Sequence, residues 1–338
     1  MRALEILAAG PGLSVQDLGR PFHMKSGLSA GGGADRLALF EAAALLGLKQ
    51  VVAGIEMAGL GGRFRFTAPT RFALTGAPMK AALEGRPLRW NASHHAGAGE
   101  VLEIGGARAG VYGYLSPAGG IGGPQFLGSR AAHLAVGIGH LLGAGEVLEI
   151  LPDPAPERPA MCLADDGRFN GGTIRMVPGP QTDLFAPETV ARFLATDFIR
   201  SATGNRQGVR LAHDGEPFGA EISGQASEII LPGDVQMTGD GVPYVLLAEC
   251  QTTGGYARIG SVIAPDLARL AQAPPGAHLR FEMVSLEAAE RLWRPEAGLI
   301  GALSQRLCPL LRDPHDISDL LSYQLISGAV AGDEGEEE

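Results

Sequence analysis

The chain has 338 residues, 45% of them hydrophobic and 19% charged, with a net charge of −10. That balance describes a folded protein of about two domains with a sizeable core, and it argues against nucleic acid or an anionic membrane as a partner. Fifty glycines and 23 prolines without a Gly-x-y period predict frequent turns between short strands. The first residues lack the charged, apolar and cleavage-site series of a secretory signal, and no apolar run approaches about 18 residues, so no membrane span is expected. Cys162, Cys250 and Cys308 are odd in number and far apart. They give neither a disulfide framework nor a zinc spacing, and the expectation is a cytoplasmic protein.

In chain order, Gly12-Leu13-Ser14-Val15-Gln16-Asp17-Leu18-Gly19-Arg20-Pro21 reads as a short strand running into a polar loop. Asp17 and Arg20 either pair and hold that loop, or Gln16 and Arg20 face a carboxylate, which the planar fork of arginine suits. Gly31-Gly32-Gly33-Ala34-Asp35 leads into a helix predicted over 34–46, with Leu37, Phe40, Ala44 and Leu45 on one face and Gly47 as a stop. Free N–H groups at such a start can cradle an anion, or Asp35 is simply the N-cap. Phe64 and Phe66 share one face of a strand in 59–66. Met79-Lys80 resembles a biotin attachment site but lacks its flanking pattern, so no covalent biotin is expected on this chain. His94 and His95 diverge if they lie in a strand. Gly97-Ala98-Gly99-Glu100-Val101-Leu102-Glu103-Ile104 recurs letter for letter at 143–150, a repeated turn-and-strand block.

Four prolines between Leu151 and Pro159 mark the best linker. Beyond it come a strand at Thr173–Val177 and a short helix from Pro187, with Val190, Phe193 and Leu194 at helical spacing. Asn205-Arg206-Gln207-Gly208-Val209-Arg210-Leu211 reads from spacing alone as a surface strand with Arg206 and Arg210 on one face. Glu228 is either an exposed strand-end acid or a carboxyl raised by apolar neighbours for acid–base work. The apolar run Tyr244–Ala248 predicts a strand that enters Glu249-Cys250-Gln251-Thr252-Thr253-Gly254-Gly255-Tyr256-Ala257-Arg258-Ile259, with Cys250 still in strand. Two glycines would serve a hairpin, but the amide, hydroxyls, phenol and guanidinium ask for a ligand. Helices are predicted over 265–273 and 285–292, the latter capped by Ser285 with an incomplete capping box, and an apolar segment 299–311 packs as a helix on the body. Asp313, His315, Asp316 and Asp319 read as helix capping more than as a metal set. The last six residues hold five acids and read as a solubilising, disordered end. The expected division is 1–155, a linker 156–172, a second half 173–294 and an extension 295–338.

Three of these segments together resemble one family. Gln251 to Ile259 is similar to the Q-T-T-G-G-Y-x-R-I signature of the biotin-dependent carboxyltransferase family, also called allophanate hydrolase subunit 2 or KipA, which includes the C-type subunit of 5-oxoprolinase. Gly12–Arg20 resembles its G-x-x-T-V-Q-D-x-G-R, and Asn205–Leu211 its [ND]-R-M-G-x-R-L. Ser227, Glu228, Pro232, Gly233 and Gln236 match a further family segment, and Gly32 and Asp35 match S-G-A-x-D. The chain departs from the pattern at Gly31, Gly33, Gln207, Ile229, Thr238 and Ala257, and Glu249 replaces an aspartate.

The resemblance implies a mainly β fold of two cyclophilin-like β-barrel halves with a few short helices. It implies ATP as cofactor, a KipI-like B component and a LamB/YcsF-type A component as partners, and a small amide or lactam as substrate. The activity it points to first is ATP-dependent opening of 5-oxoproline to glutamate. Carboxyl transfer to urea or another amide, with biotin on a separate chain, is the alternative, as is non-catalytic regulation of a kinase inhibitor. The residues it nominates are Arg258, Tyr256 and Glu228 for catalysis, and Gln16, Arg20, Asp35, Asn205, Arg206, Gln236, Gln251, Thr252, Thr253, Gly254 and Gly255 for the substrate, with no metal. The expectation is that these distant loops meet in one pocket that grips a small anionic amide.

Overall fold

A computed structural model describes residues 2–219 and 226–311. The fold is mainly β. In the first half the strands form two sheets. One has six strands in the order Val147–Glu149, Ala3–Ala9, Gly62–Phe66, Val101–Ala107, Met79–Leu83, Arg86–Pro87. The other has seven, in the order Leu13–Gln16, Gly54–Ala58, Tyr112–Pro117, Thr70–Gly76, Ala92–Ala96, Met161–Cys162, Cys308–Pro309. Period-2 alternation sends Leu4, Ile6, Phe64, Phe66 and Leu102 of the first sheet onto Ile55, Met57, Phe72 and Leu74 of the second. Phe66 and Phe72 stack across this core at 5.1 Å.

The repeated octapeptide serves one purpose twice. Glu100 Oε2 accepts from Gly97 N, and Glu146 Oε1 from Gly143 N, both at 2.6 Å. Each glutamate thus ties off a turn before a strand of the six-stranded sheet.

The second half closes into a seven-stranded barrel: Gly172–Val177, Arg258–Val262, Asp234–Met237, Pro243–Leu246, Gly208–Ala212, Phe198–Gly204, His278–Met283. Its closing pair, Gly172–Val177 with His278–Met283, is parallel, and its other pairings are antiparallel. Phe193, Phe198, Phe218 and Phe281 cluster in its core. A two-stranded ribbon, Glu228–Ile229 with Thr253–Gly254, stands beside the barrel.

Helix α1 (Arg36–Leu46) starts at Asp35, whose Oδ1 accepts from Ala38 N, and ends at Gly47 in the left-handed conformation. It is apolar nearly all round because it is covered twice. Leu45 and Leu46 meet the seven-stranded sheet, while Phe40 and Ala44 meet Leu303. Helix α2 (Pro187–Ala195) packs on the barrel through Phe193. Helix α3 (Leu267–Gln272) follows a single 3-10 turn, and α4 (Leu286–Leu292) is capped by Ser285. Helix α5 (Glu296–Ser304) covers α1, and the chain then forms the edge strand Cys308–Pro309 of the first half. The proline-rich stretch is pinned by Arg71, whose guanidinium holds Asp153 at 2.7 and 2.8 Å. The Asp313–Asp319 group and the acidic end lie outside the described residues. No helix among the described residues is long and apolar enough to cross a membrane.

Candidate functional site

The structure distributes the nominated residues over three places. The first is the joint between the halves. Arg206 lies in the turn between strands Phe198–Gly204 and Gly208–Ala212, not in a strand, and Asn205 Oδ1 closes that turn on Gln207 N at 2.8 Å. Arg206 and Arg210 therefore do not share a strand face. The Arg206 guanidinium leaves its own barrel. It donates to Glu249 Oε1 at 2.6 Å, to Glu56 Oε1, and to the Gly32 carbonyl. Glu56 lies on the first-half strand Gly54–Ala58, and its Oε2 accepts from Tyr114 OH at 2.6 Å and Ala34 N at 2.8 Å. Glu249 Oε2 accepts from Ala135 N at 3.1 Å. Burial opposes the charge on Arg206, but Glu56 and Glu249 outweigh it and raise its pKa.

Asp35 belongs to the same joint. Besides capping α1, its Oδ2 accepts from Arg168 Nε at 2.9 Å and Gln272 Nε2 at 2.8 Å. Arg168 also grips Glu41 through two bonds of 2.7 and 2.9 Å. Burial pushes the Glu41 carboxyl up to about 7 against the pull of Arg168.

The second place is a pair of first-half loops. Gln16 Nε2 donates to Ser14 Oγ and Ala132 O. Arg20 donates to Phe126 O at 3.4 Å, Ser129 Oγ at 3.5 Å and Ala131 O. Asp17 accepts from Ser129 Oγ and Arg130 N at 2.6 and 2.7 Å. Asp17 and Arg20 thus both hold residues 126–131 and do not pair with each other. Burial lowers the Arg20 pKa, with Asp17 and Glu249 opposing.

The third place is the barrel mouth. Arg258 is buried beneath the ribbon: Nη2 meets Glu228 at 2.7 Å, Nη1 meets Asp234 at 3.2 Å and Ile229 O at 2.9 Å, and Nε meets Gln181 Oε1 at 3.1 Å. Arg258 and Glu228, nominated as catalytic, are therefore partners that pin the ribbon, which also carries Thr253 and Gly254. Thr252 accepts Ile230 N through its carbonyl at 3.1 Å.

Beside the ribbon opens a pocket of about 390 Å³. The amides of Asn205, Gln207, Gln236 and Gln251 line it, with Thr203, Thr238, Tyr244, Tyr256 and Cys250, and with Ile230 and Leu246 as apolar wall. No charged side chain is among them. Of the nominated residues this pocket unites Asn205, Gln236, Gln251 and Tyr256. Gln236 is 7% exposed, and its Nε2 has no hydrogen-bond partner. A buried N–H without a partner costs free energy that an acceptor within its reach would recover.

Cys250 is in a turn, not a strand. The strand ends at Leu246 because Leu247 N and Glu249 N turn away to the carbonyls of Gln207 and Arg206 at 2.9 and 2.8 Å. Burial pushes the Cys250 thiol up to about 12, which favours the neutral thiol in the pocket wall. Among the described residues no group of three or more His, Cys, Asp or Glu side chains gathers as a metal ligand set.

The sequence reading passed over Glu56, Glu41, Arg168, Gln272 and Tyr114 in the joint, and Thr203 and Tyr244 in the pocket. Glu56 carried a signal: it is a lone acid inside the apolar run Gly54-Ile55-Glu56-Met57-Ala58. Gln207 and Thr238 carried another, since both depart from the family pattern and both line the pocket.

A two-sheet half joined to a closed barrel by buried ion pairs, with an uncharged, polar pocket at the barrel mouth, defines a two-part β protein. The particular family follows from comparison: the carboxyltransferase domain, subdomain A and B, matches residues 26–283, and the chain belongs to that family. It is 33% identical to the C-type subunit of 5-oxoprolinase from Escherichia coli over 90% of this chain and 98% of that one. It is 30% identical to the corresponding 5-oxoprolinase chain of Haemophilus influenzae, over 86% and 94%. Among solved structures it resembles the Kluyveromyces lactis urea carboxylase with TM-score 0.77 and 25% identity, covering 92% of this chain and 31% of that much longer one.

Proposed function

We propose that the chain is the C-type subunit of an ATP-dependent amide-processing enzyme of the cytoplasm, with the lactam 5-oxoproline as substrate and a KipI-like B component and a LamB/YcsF-type A component as companions. The observation that carries the amide reading is Gln236, which lines an uncharged pocket rich in amides and hydroxyls and whose buried Nε2 has no hydrogen-bond partner. An amide offers a carbonyl acceptor and an N–H donor, and side-chain amides complement both. Turned toward the cavity, that N–H would bind the lactam oxygen and stabilise the charge that grows there as the carbonyl is attacked.

The expected grip on an anion takes another form. Arg206 and Arg258 are engaged with Glu56, Glu249, Glu228 and Asp234. On this reading the lactam enters first and the substrate carboxylate stays at the solvent-facing mouth, where Tyr256 is half exposed. A triphosphate does not fit this pocket, which has no cation to meet it, so ATP is assigned to another part of the complex. The test is glutamate release from 5-oxoproline and ATP by the reconstituted complex. Gln236→Leu should cut it by about tenfold or more; full activity in a Gln236→Leu, Gln251→Ala double variant would remove the pocket from the reaction.

A second reading, carboxyl transfer to urea with biotin on a separate chain, draws support from the likeness to urea carboxylase and from the same lack of charge, which suits neutral urea. Urea-dependent turnover with a biotinylated partner, and none with 5-oxoproline, would favour it.

A further inference from the structure

Two of the three cysteines, far apart in sequence, meet in the fold. Strand Met161–Cys162 pairs antiparallel with the edge strand Cys308–Pro309 in a register that sets Cys162 directly opposite Cys308. The register continues inward, with Cys162 opposite Ala92 and Ala92 opposite Leu74. Residues opposed in this way put their side chains on one face of a sheet, so Leu74, Ala92, Cys162 and Cys308 form one row. Leu74, Ala92 and Cys162 are buried, and Cys308, at the sheet edge, is exposed. The intervening residues Met161, Leu163 and Leu307 pack into the cluster under α1, on the other face. Cys162 Sγ lies 3.7 Å from the carbonyl oxygen of Pro309, the neighbour of Cys308. Both thiols are free.

Directly opposed antiparallel residues hold their Cα atoms about 4.5–5.5 Å apart, inside the span of about 4.4–6.8 Å that a disulfide bridges. The register therefore already supplies the backbone geometry of a bridge. The position of the pair in the chain gives such a bridge a consequence. Strand Met161–Cys162 leads through Arg168 into the barrel, and the barrel strand His278–Met283 leads through α4 and α5 back to Cys308. The whole second half thus lies between the two cysteines. Helix α5 covers α1 and is tied to it by the exposed pair Arg36–Glu296. The return strand is only two residues long, followed by Leu310 N on Ala160 O at 2.9 Å. A short strand at a sheet edge opens at low cost.

We propose that Cys162 and Cys308 are a redox modification site: a peroxide converts them to a disulfide that fastens the strap Glu296–Pro309 to the first half, and a thiol reductant releases it. Cys308 reacts first because it is the exposed thiol. Its sulfur attacks one peroxide oxygen, the O–O bond breaks, and Cys308 becomes a sulfenic acid as one water leaves. Cys162, buried behind it in the same row, then attacks the sulfenic sulfur, gives up its proton and displaces a second water as the S–S bond forms. Two thiols are oxidised and one peroxide is reduced to two waters. The closed loop contains the entire second half, and restraint of the unfolded chain grows with loop length. Cys250 stands apart in the pocket wall and takes no part.

The experiment takes the full chain, reduced with dithiothreitol and desalted, and treats it with hydrogen peroxide. Remaining thiols are alkylated under denaturing conditions, and peptides are mapped by mass spectrometry without reduction. One linked pair of peptides carrying Cys162 and Cys308 is expected, with Cys250 alkylated. The melting temperature of the oxidised chain should rise by about 3 °C or more, and dithiothreitol should return it to its starting value. Cys308→Ser should abolish both changes, and Cys162→Ser should stop at a sulfenic acid on Cys308 that dimedone labels. Because Cys308 is exposed, Cys308→Ser carries the control even if Cys162→Ser fails to fold. Over-oxidation of Cys308 with Cys162 untouched, chains crosslinked to one another through Cys308, or a bridge to Cys250 would each overturn the proposal. So would a Cys162–Cys308 bridge that leaves the melting temperature unchanged or lowers it, since the strap would not then be fastened by it.

Discussion

The joint between the halves and the mouth of the barrel use polar residues in opposite ways, and two glutamines show it. Gln272, in the joint, is fully buried and makes four bonds: Nε2 to Asp35 and Tyr112 O, Oε1 from Val111 N and Tyr112 N. Gln236, at the mouth, is nearly as buried and leaves Nε2 open. In the joint, cations meet carboxylates: Arg206 with Glu56 and Glu249, and Arg168 with Asp35 and Glu41. At the mouth the ion pairs of Arg258 with Glu228 and Asp234 pin the ribbon, and no charged side chain lines the cavity itself. Buried ion pairs fix geometry because any misplacement strands a charge, so charge here sets how the halves meet, while neutral groups are left for recognition. The link between them is short. Arg206 lies between Asn205 and Gln207, which line the pocket, and Glu249 directly precedes Cys250 and Gln251, which do too.

The sharpest way to break this contrast is Arg206→Met. It strands Glu56 and Glu249 in a buried joint, and the loss should be about 3–5 kcal/mol in urea unfolding. A loss below about 1 kcal/mol would mean the joint is wet. Restoring part of it with Glu249→Gln in the Arg206→Met background would assign the loss to the stranded charge.

A smaller effect separates the two regions by pH. The folded pKa of Glu41 is raised to about 7 by burial, above the ordinary 4.5. Between these values the folded state keeps a proton that the unfolded chain releases. This group's contribution is therefore full below 4.5 and lost as pH rises to about 7. Glu41→Gln should flatten that part of the melting-temperature profile between about pH 5 and 7.5, and Gln236→Leu should leave the profile unchanged. Two parallel profiles for wild type and Glu41→Gln would show that the carboxyl stays ionised throughout.

Much of the first half was legible in the sequence, for local reasons. Asp35 and Gly47 bound α1 because a cap and a left-handed stop act within one turn of chain. Phe64 and Phe66 face the core because strand alternation is a local rule. The partners of Arg206, Arg20 and Arg258 were not legible, because an arginine in a polar motif looks the same whether it meets a ligand or a glutamate from a distant strand. Glu56 lies 150 residues from Arg206, and only the fold joins them. The pocket shares that limit: Thr203, Thr238 and Tyr244 come from three different barrel segments and carry no common spacing.

The smallest change tests whether the open donor is held in place by design. At Gly254 an added methyl would stand 2.7 Å from Gln236 Nε2 and 3.1 Å from Ile230 Cδ1. The nearer atom is the end of a flexible side chain, so the amide can swing aside while the backbone stays, and stability should change by less than about 1 kcal/mol. Affinity for a lactam or urea probe should still fall, because the amide that would turn to meet the ligand has been displaced. The two positions should also be non-additive: once Gln236→Ala has removed the amide, Gly254→Ala has nothing left to push, and its effect on binding should vanish. Additive losses would mean that Gly254 serves the ligand directly, by close approach of its own backbone. Gln236 would then be a bystander, and the contrast between a saturated joint and an open mouth would rest on the uncharged lining alone.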